Sequence, residues 1–364
     1  NLILKYRKPV FVRINNEHRL IYVLKKGRQG MQNYRMNNRY EMQRRKKKRR
    51  RKRIRFIKNL FLVIILAALL IFLVKVFILQ GGAEDIIQLS ENCISGEDEE
   101  VEENIDLDGL YSPYAVLVDL DTGKTIGARN DTEKIYPASM TKIMTAIVAI
   151  ENTTDLEKTI TMPYDIYSEL YAQNASMAGF QPGEEAKMID LIYGMLLPSG
   201  AECCLAAAGE TAGSEEAFVD LMNEKAKELG MNDTHFKNTT GLHDPEHYST
   251  VRDISVLLKY ALENETFRQA FTSSRHSTGS TEQHPGGFTF YSTVLSYLDG
   301  SEIENGAVLG GKSGYTEEAG LCLASLGEVT GKEYILVTAG APGDHQTEQY
   351  HILDAVDVYN RIGK

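Results

Sequence analysis

The residues with the clearest chemical potential are Ser139 and Lys142, three positions apart in YPASMTKIMTAIVAIEN, residues 136–152. Apolar residues recur at helical spacing after Lys142, so we predict a largely buried helix with Pro137 near its start. An i, i+3 spacing puts the hydroxyl and the amine on one face of that helix. The helix N-terminus stabilises a developing oxyanion and favours a neutral lysine amine. Such an amine can accept the serine proton, which indicates nucleophilic catalysis, although S-x-x-K alone is a common pattern.

Two further polar segments follow in the chain. Ser199 and Gly200 stand in LLPSGAECCLAAAG, residues 196–209, where they lead into an apolar helix. Lys312-Ser313-Gly314 stands in LGGKSGYTEEAG, residues 309–320, before apolar residues suited to a strand. With the first segment, they match the S-x-x-K, S-x-N and K-T-G elements of penicillin-binding proteins and serine β-lactamases, which share one active-site design. Their order and wide separation argue against coincidence.

Regular elements must hold these segments together. YAVLVDLDTGKTIGARN, residues 114–130, reads as two short strands joined by the turn Asp121-Thr122-Gly123. This predicted hairpin directly precedes the segment of Ser139. From Gly109 to Lys364 the composition is globular, and 256 residues suffice for one substantial core.

The motifs YPASMTK, LLPSGAE, FKNTTGLHDPEHYST (residues 236–250) and GGKSGYT resemble those of the low-molecular-weight D-alanyl-D-alanine carboxypeptidases. These serine peptidases trim peptidoglycan stem peptides, and the resemblance covers residues 109–364. It implies an α/β (α+β) fold of the DD-peptidase and serine β-lactamase type. In that fold a mainly antiparallel sheet is flanked by helices, with an all-helical subdomain inserted and the active site at the junction.

The resemblance also implies a role for each matched residue. Ser139 would attack the carbonyl of the penultimate D-Ala, Lys142 would be the general base, and Ser199 would relay a proton to the leaving amine. Lys312 would supply positive charge, and Ser313 with Thr316 would hold the terminal carboxylate. The backbone N–H groups of Ser139 and Tyr315 would form the oxyanion hole. The implied substrate-binding positions are Lys312, Ser313, Gly314, Tyr315 and Thr316. The implied ligands are a peptide ending in D-Ala-D-Ala and β-lactam antibiotics, with no cofactor and no metal.

The chain departs from the family pattern at two positions. Ser313 stands where Thr is more usual, which keeps the hydroxyl. Ala201 occupies the third place of S-x-N, so an amide that would bond the lysine and the substrate is missing. Losing such a bond costs about 1.5 to 3 kcal/mol, or roughly ten- to a hundred-fold in rate. We therefore expect a slow enzyme, unless water or Glu202 substitutes, and an inactive peptidoglycan-binding module stays open as an alternative.

Other functions deserve comparison. A β-lactamase of class A needs an extra glutamate for deacylation, and no E-x-x-L-N stretch lies between Ser199 and Lys312. Residues 306–313, GAVLGGKS, satisfy the P-loop pattern, but a P-loop opens a helix and the following Gly314-Tyr315-Thr316 is a poor helix start. His243 and His247 have the i, i+4 spacing of metal ligands on a helix, but Pro245 between them argues for a loop. The four cysteines show no CxxC spacing, and we interpret them as small buried residues plus one exposed thiol.

Charge divides the chain unevenly. The whole sequence has a net charge of -10, yet residues 1–58 hold 22 basic and 2 acidic residues. Behind this arm, residues 60–79 are apolar except for Lys75, and at about 1.5 Å per residue they reach roughly 30 Å. We predict a transmembrane helix over 59–79, with the basic cluster 44–55 on the cytoplasmic side and the C-terminal part outside. A cleaved signal peptide is the rival interpretation, although the apolar segment is long and lacks an Ala-x-Ala site.

The predicted organisation has four parts. A basic cytoplasmic arm over 1–58 precedes the transmembrane helix over 59–79, an acidic linker over 80–108 and a catalytic domain over 109–364. The arm is interpreted as a topology signal that touches anionic lipid rather than a nucleic-acid site. We therefore expect a lipid bilayer but no nucleic acid among the partners, and a single-pass location in the cell membrane. Because the sequence begins with Asn1 rather than Met, we expect that it is either a fragment or that translation starts later, at Met31 or Met36.

Overall fold

The computed structural model describes residues 104–298 and 303–364. The strands are β1 Tyr114–Asp119, β2 Thr125–Arg129, β3 Thr159–Thr161, β4 Glu185–Lys187, β5 Arg275–Ser277, β6 Thr289–Tyr291, β7 Gly306–Thr316, β8 Gly320–Val329 and β9 Lys332–Ala341. The helices are α1 Lys142–Asn152, α2 Tyr167–Ala172, α3 Met188–Leu196, α4 Ala201–Ala212, α5 Glu215–Glu228, α6 Val251–Leu262, α7 Glu265–Phe271, α8 Thr293–Tyr297 and α9 Tyr350–Arg361.

Five strands form the main sheet in the order β2-β1-β9-β8-β7, and every neighbouring pair is antiparallel. The strands β1 and β2 are the predicted hairpin, and their turn contains Gly123 at φ 70°. The predicted antiparallel sheet flanked by helices is confirmed. The region between β2 and β7 is not purely helical, because it also contains the two-stranded sheets β3-β4 and β5-β6.

The main sheet separates two hydrophobic cores, because side chains alternate between its faces. On β1, Val116 and Val118 pack into the larger core with the helices of the inserted region. The intervening Ala115 and Leu117 face the opposite side, where α9 covers the sheet. Both faces of β1 are therefore buried, which explains its nearly continuous apolar sequence.

Helix α1 lies inside the larger core. Every residue from Lys142 to Ile150 is buried, which is the pattern of a helix that is surrounded on all sides. A 3-10 turn, Ala138–Thr141, precedes it and carries Ser139. The predicted helix thus starts later than Pro137, and the reactive pair spans the junction between the turn and α1.

Several sequence-based predictions fall on other parts of the chain. The basic arm, the transmembrane helix, Cys93 and most of the acidic linker lie outside the described residues. Within residues 104–298 and 303–364, no helix is both long and apolar enough to cross a bilayer. Three of the cysteines, Cys203, Cys204 and Cys322, are buried free thiols.

Candidate active site

Ser139 and Lys142 lie within hydrogen-bond distance of each other. The Lys142 Nζ atom is 2.9 Å from Ser139 Oγ, and the lysine is only 2% exposed. The backbone supports this approach through Ala138, which adopts a positive φ of 46° directly before the serine. A non-glycine residue in this region is uncommon and is often found where structure is strained for function. The predicted nucleophile and base are thus adjacent in the fold.

The surroundings of Lys142 favour its neutral form. Burial lowers the pKa of the amine, while the nearby Cys204 and Glu202 oppose this shift. The Nζ atom also donates a hydrogen bond of 2.6 Å to the backbone carbonyl of Thr240. A neutral amine retains a lone pair, so it can accept the proton of a serine hydroxyl.

Thr240 is a residue that sequence reasoning missed, because its contribution is a main-chain carbonyl. It lies in a tight loop organised by Asn238, whose Oδ1 accepts hydrogen bonds from the backbone N–H groups of Thr240 and Gly241. Gly241 has a φ of +81°, and a Cβ there would lie 1.8 Å from the carbonyl oxygen of Ala138. The Asn-x-Thr-Gly pattern was the available signal, since Asn and Gly favour such turns.

His247 connects the same loop region to the S-x-x-K turn. One ring nitrogen, Nδ1, accepts a hydrogen bond of 3.2 Å from the backbone N–H of Lys237. The other, Nε2, therefore carries the proton and donates to Thr141 Oγ1 at 2.8 Å. Burial lowers the pKa of His247 to about 4, so the ring is neutral near pH 7. Both ring nitrogens of His247 form hydrogen bonds with protein groups, so neither is free to bind the metal that the spacing of His243 and His247 suggested.

Ala201 stands where the S-x-N element has an amide side chain. Ala201 is the first residue of α4 and faces a groove that it shares with Ser139 and Lys142. Glu202 does not replace the amide at the lysine: its Oε1 accepts hydrogen bonds from the backbone N–H groups of Ala178 and Gly179, and its buried Oε2 has no hydrogen-bond partner among the described residues. Burial raises the pKa of this carboxyl. The role of Glu202 is to hold the loop beside the site.

Ser199 lies at a bend before α4. It has a positive φ of 69°, and its Oγ is buried without a hydrogen-bond partner among the described residues. Its side chain lines a cavity of about 60 Å³ that also reaches Ser139 and Ser313. The structure thus gathers three predicted serines around one small space.

Strand β7 forms one wall of the site. Its Lys312 is 1% exposed, and the Nζ donates a hydrogen bond of 2.7 Å to the carbonyl of Ser313. Burial, with the nearby amine of Lys142, lowers the pKa of Lys312 well below its usual range. The role of Lys312 as a source of positive charge for the substrate stays a prediction. Because Lys312 and Ser313 lie inside a strand and open no helix, the P-loop alternative is wrong.

Close approach of β7 to the nucleophile depends on Gly314. A Cβ on this residue would lie 2.8 Å from the backbone nitrogen of Ser139. The strand therefore passes directly beside one of the two predicted oxyanion-hole groups, and Tyr315 follows at once.

Ser313 and Thr316 line adjoining parts of one cleft, because the small cavity and the larger groove share Ser139 and Tyr315 as lining residues. Ser313 lines the small cavity, whereas Thr316 lines the larger groove of about 1190 Å³ that extends from Ser139 and Lys142. The Thr316 hydroxyl also accepts a hydrogen bond of 3.1 Å from the backbone N–H of Ala319. Residues three apart on a strand point to opposite faces, which explains the separation.

The chain is similar to proteins of one enzyme class. A family model described as D-alanyl-D-alanine carboxypeptidase matches residues 102–343. D-alanyl-D-alanine carboxypeptidase DacF of Bacillus subtilis is 36% identical over 248 residues, covering 66% of this chain and 60% of the relative. DacD of Escherichia coli, another D-alanyl-D-alanine carboxypeptidase, is 30% identical over 243 residues, covering 64% and 59%. The chain spans about 60% of the length of these relatives.

Solved structures agree in fold. A mutant of the Streptomyces K15 DD-transpeptidase superimposes with a TM-score of 0.63 at 25% identity, covering 69% of this chain and 97% of that one. A D-alanyl-D-alanine carboxypeptidase from Mycobacterium tuberculosis gives 0.57 at 23% identity, covering 68% and 90%. The second likeness supports the fold alone.

Proposed function

The chain belongs to the D-alanyl-D-alanine carboxypeptidase family of serine peptidases, and we propose on this premise that it removes the terminal D-alanine from peptidoglycan stem peptides. The observation that carries the proposal is the pairing of Ser139 Oγ with the buried amine of Lys142 at 2.9 Å. β-Lactam antibiotics are the expected acylating inhibitors, since they react with the same nucleophile.

Acylation begins with proton transfer from Ser139 to the neutral amine of Lys142. The freed Oγ forms a bond to the carbonyl carbon of the penultimate D-Ala. Backbone N–H groups of Ser139 and Tyr315 bind the resulting oxyanion, a type of stabilisation that is usually the largest single contribution to catalysis. The C–N bond then breaks, and the leaving amine takes a proton relayed by Ser199 from the Lys142 ammonium. D-Alanine departs and Ser139 carries the acyl group.

Deacylation reverses the proton movement. Lys142, neutral again, takes a proton from water, and the hydroxide attacks the ester carbon of the acyl-enzyme. The ester C–O bond breaks and Ser139 recovers its proton from Lys142. The side chain of Ala201 cannot accept a hydrogen bond from the Lys142 amine. The carbonyl of Thr240 accepts one instead, and it therefore holds the amine in place through both steps.

Mass spectrometry of the protein after treatment with a penicillin tests the nucleophile and the deacylation rate together. We expect one acyl adduct on Ser139, with D-alanine released from an N-acylated peptide ending in D-Ala-D-Ala. Ser139→Ala should lose both, while Ser274→Ala, at an exposed serine, should keep both. A folded protein that forms no adduct would support the inactive binding module instead.

The same experiment addresses the β-lactamase alternative. Of the groove glutamates, Glu215 holds the loop of Thr240, because its Oε1 accepts from the N–H and hydroxyl of Thr239, each at 2.8 Å. A carboxylate engaged in this way is poorly placed to activate a deacylating water. Rapid penicillin turnover without D-alanine release would overturn the peptidase proposal.

We also propose that residues 59–79 anchor the catalytic domain in the cell membrane, with the basic arm in the cytoplasm. The long apolar run next to a basic cluster supports this topology. Membrane fractionation of cells that express the full chain tests it. We expect the protein in the membrane fraction after a high-salt wash, and protease added outside the cell should digest the catalytic domain.

A further inference from the structure

Two residues that line the small cavity beside Ser139 each have a buried polar atom without a hydrogen-bond partner among the described residues. Ser199 Oγ and His351 Nδ1 are both buried and lack a hydrogen bond within the described residues. Both residues line this cavity of about 60 Å³. An unpaired buried polar atom is unfavourable in a folded protein, and a polar ligand can relieve the penalty. The cavity therefore suits a small ligand that offers polar groups on two sides.

The fold holds His351 firmly. It is the second residue of α9 and is only 1% exposed. The preceding Gln349 also lines the cavity, but its amide already donates to the carbonyls of Asp344 and Thr347. Likewise, the Thr293 hydroxyl donates to the carbonyl of Leu197. Among these neighbours, the His351 ring remains free to bind a ligand.

The charged groups expected for a substrate carboxylate are not in this cavity. Of the described residues, no lysine or arginine lines it. Lys312 is buried and donates to the carbonyl of Ser313, and Thr316 faces the larger groove. Within the cavity, the hydroxyl of Ser313 remains as one group that can bind the carboxylate.

We propose that His351 is a specificity-determining residue that binds the terminal carboxylate of the departing D-alanine together with Ser313. This inference rests on the proposed function. In D-alanine one carbon separates the amine from the carboxylate, so Ser199 can meet the amine while His351 meets the carboxylate. Both unpaired atoms of the cavity gain partners in one step.

The ring acts as a neutral donor. Burial lowers the pKa of His351 to about 4, and the nearby His345 adds to this shift. A neutral imidazole has one N–H, and a hydrogen bond from it to an ionised acceptor is stronger than a bond between neutral groups. His345 lies nearer the rim, where its ring packs edge-on against Tyr315 with centroids 5.0 Å apart.

The test compares two peptide substrates on the full chain. One is an N-acylated peptide ending in D-Ala-D-Ala, and the other ends in D-alaninol, in which CH₂OH replaces the carboxylate. His351→Phe keeps a ring but removes the donor. We expect its kcat/KM for the acid to fall roughly ten- to a hundred-fold, while the value for the alaninol peptide changes little.

Rescue separates binding from a structural role. His351→Asn places an amide N–H near the position of Nδ1 and should restore part of the preference for the acid, with the thermal midpoint measured for each variant. His235→Phe is the matched control at a histidine that does not line the cavity, and it should keep the preference of the wild type.

Three results decide the outcome. An equal fall for both peptides in His351→Phe would overturn the inference, because the residue would then act only on structure. Loss of the acid preference in His235→Phe as well would also overturn it, because the effect would then not be specific to the cavity. If the wild-type protein released no leaving group from either peptide, the proposed function itself would fail, which is a distinct result.

Discussion

Backbone conformation at single residues places the reacting groups. Gly241 has a φ of +81° and lies against the carbonyl of Ala138, so both its conformation and its missing Cβ matter. We predict that Gly241→Ala strongly reduces penicillin acylation of Ser139, because the added carbon must push the loop of Thr240 away from the S-x-x-K turn. Stopped-flow acylation and thermal unfolding measure the two effects.

Gly230→Ala provides the matched control for this change. Gly230 has a similar φ of +76°, but nothing lies within 4 Å of the place for its Cβ. Its free energy of unfolding should fall by about 1 to 2 kcal/mol, the cost of holding an alanine in the left-handed conformation, and its acylation rate should not change. Equal acylation rates in the two variants would contradict the importance of close approach.

The protonation state of Lys142 predicts a pH profile. Only the neutral amine can take the serine proton, and burial places its pKa below the ordinary value. The acylation rate should therefore rise with pH as the amine loses its proton, and it should level off below the ordinary lysine range near pH 10.4. Single-turnover acylation between pH 6 and 10 measures the profile.

Lys142→Arg serves as the comparison, because a guanidinium keeps its proton throughout this range. The variant should acylate at least a hundred-fold more slowly and show no such rise. A wild-type profile that is flat, or that rises only near pH 10.4, would rule out Lys142 as a base with a lowered pKa.

Sequence reasoning was strongest for side chains and weakest for main-chain groups. The positions of Ser139, Lys142 and Ser199 followed from the spacing of short motifs, and the structure brings them to one site. For the carbonyl of Thr240 the Asn-x-Thr-Gly pattern indicated only a turn, because any residue carries a carbonyl and only the fold directs it. His351 lies 212 positions from Ser139 in the sequence, so no local pattern could connect them.

At the level of elements, a buried carboxylate fixes the hairpin β5-β6 to the region before α3. Glu184 is fully buried, and its oxygens accept hydrogen bonds from the backbone N–H of Gln181, the hydroxyl of Thr281 and Nδ1 of His284. We predict that Glu184→Gln lowers the free energy of unfolding by about 1 to 3 kcal/mol, because its single amide oxygen cannot replace both Oε2, which accepts from Gln181, and Oε1, which accepts from the hairpin.

Hydrogen exchange locates this effect. Backbone amides in 275–291 should exchange faster in Glu184→Gln than in the wild type, since the attachment of the hairpin is weakened when one acceptor oxygen is lost. The neighbouring Glu185→Gln, at an exposed position of β4, should change neither stability nor exchange. Uniformly faster exchange over the whole domain would show that the contact supports global rather than local stability.

The sequence predicted the presence of helices and strands better than the residues at which they begin and end. The hairpin β1-β2 and the helix after Lys142 were expected, and both are present. The short strands β3 to β6 were not, since three residues give too little alternation to detect. The separation of Ser313 from Thr316 likewise required knowing that both lie on one continuous strand.

For the whole molecule, two buried neutral histidines predict sensitivity to acid. Burial lowers the pKa of both His247 and His351 to about 4, while an unfolded histidine titrates near 6.5. Between these values the unfolded chain binds protons that the folded chain excludes, so stability falls as pH decreases through that window. At neutral pH each histidine contributes about 3 kcal/mol to the free energy of unfolding, and this contribution is lost as the pH falls to about 4.

Thermal unfolding measured from pH 7 to 4 tests this prediction. Buried Glu202 acts in the opposite sense, because its raised pKa favours the folded state as it takes up a proton, so the net loss is smaller than the histidine sum. His247→Gln removes one titrating group and should flatten the fall of the midpoint between pH 6.5 and 4. The same slope in the wild type and in His247→Gln would place the acid sensitivity elsewhere in the molecule.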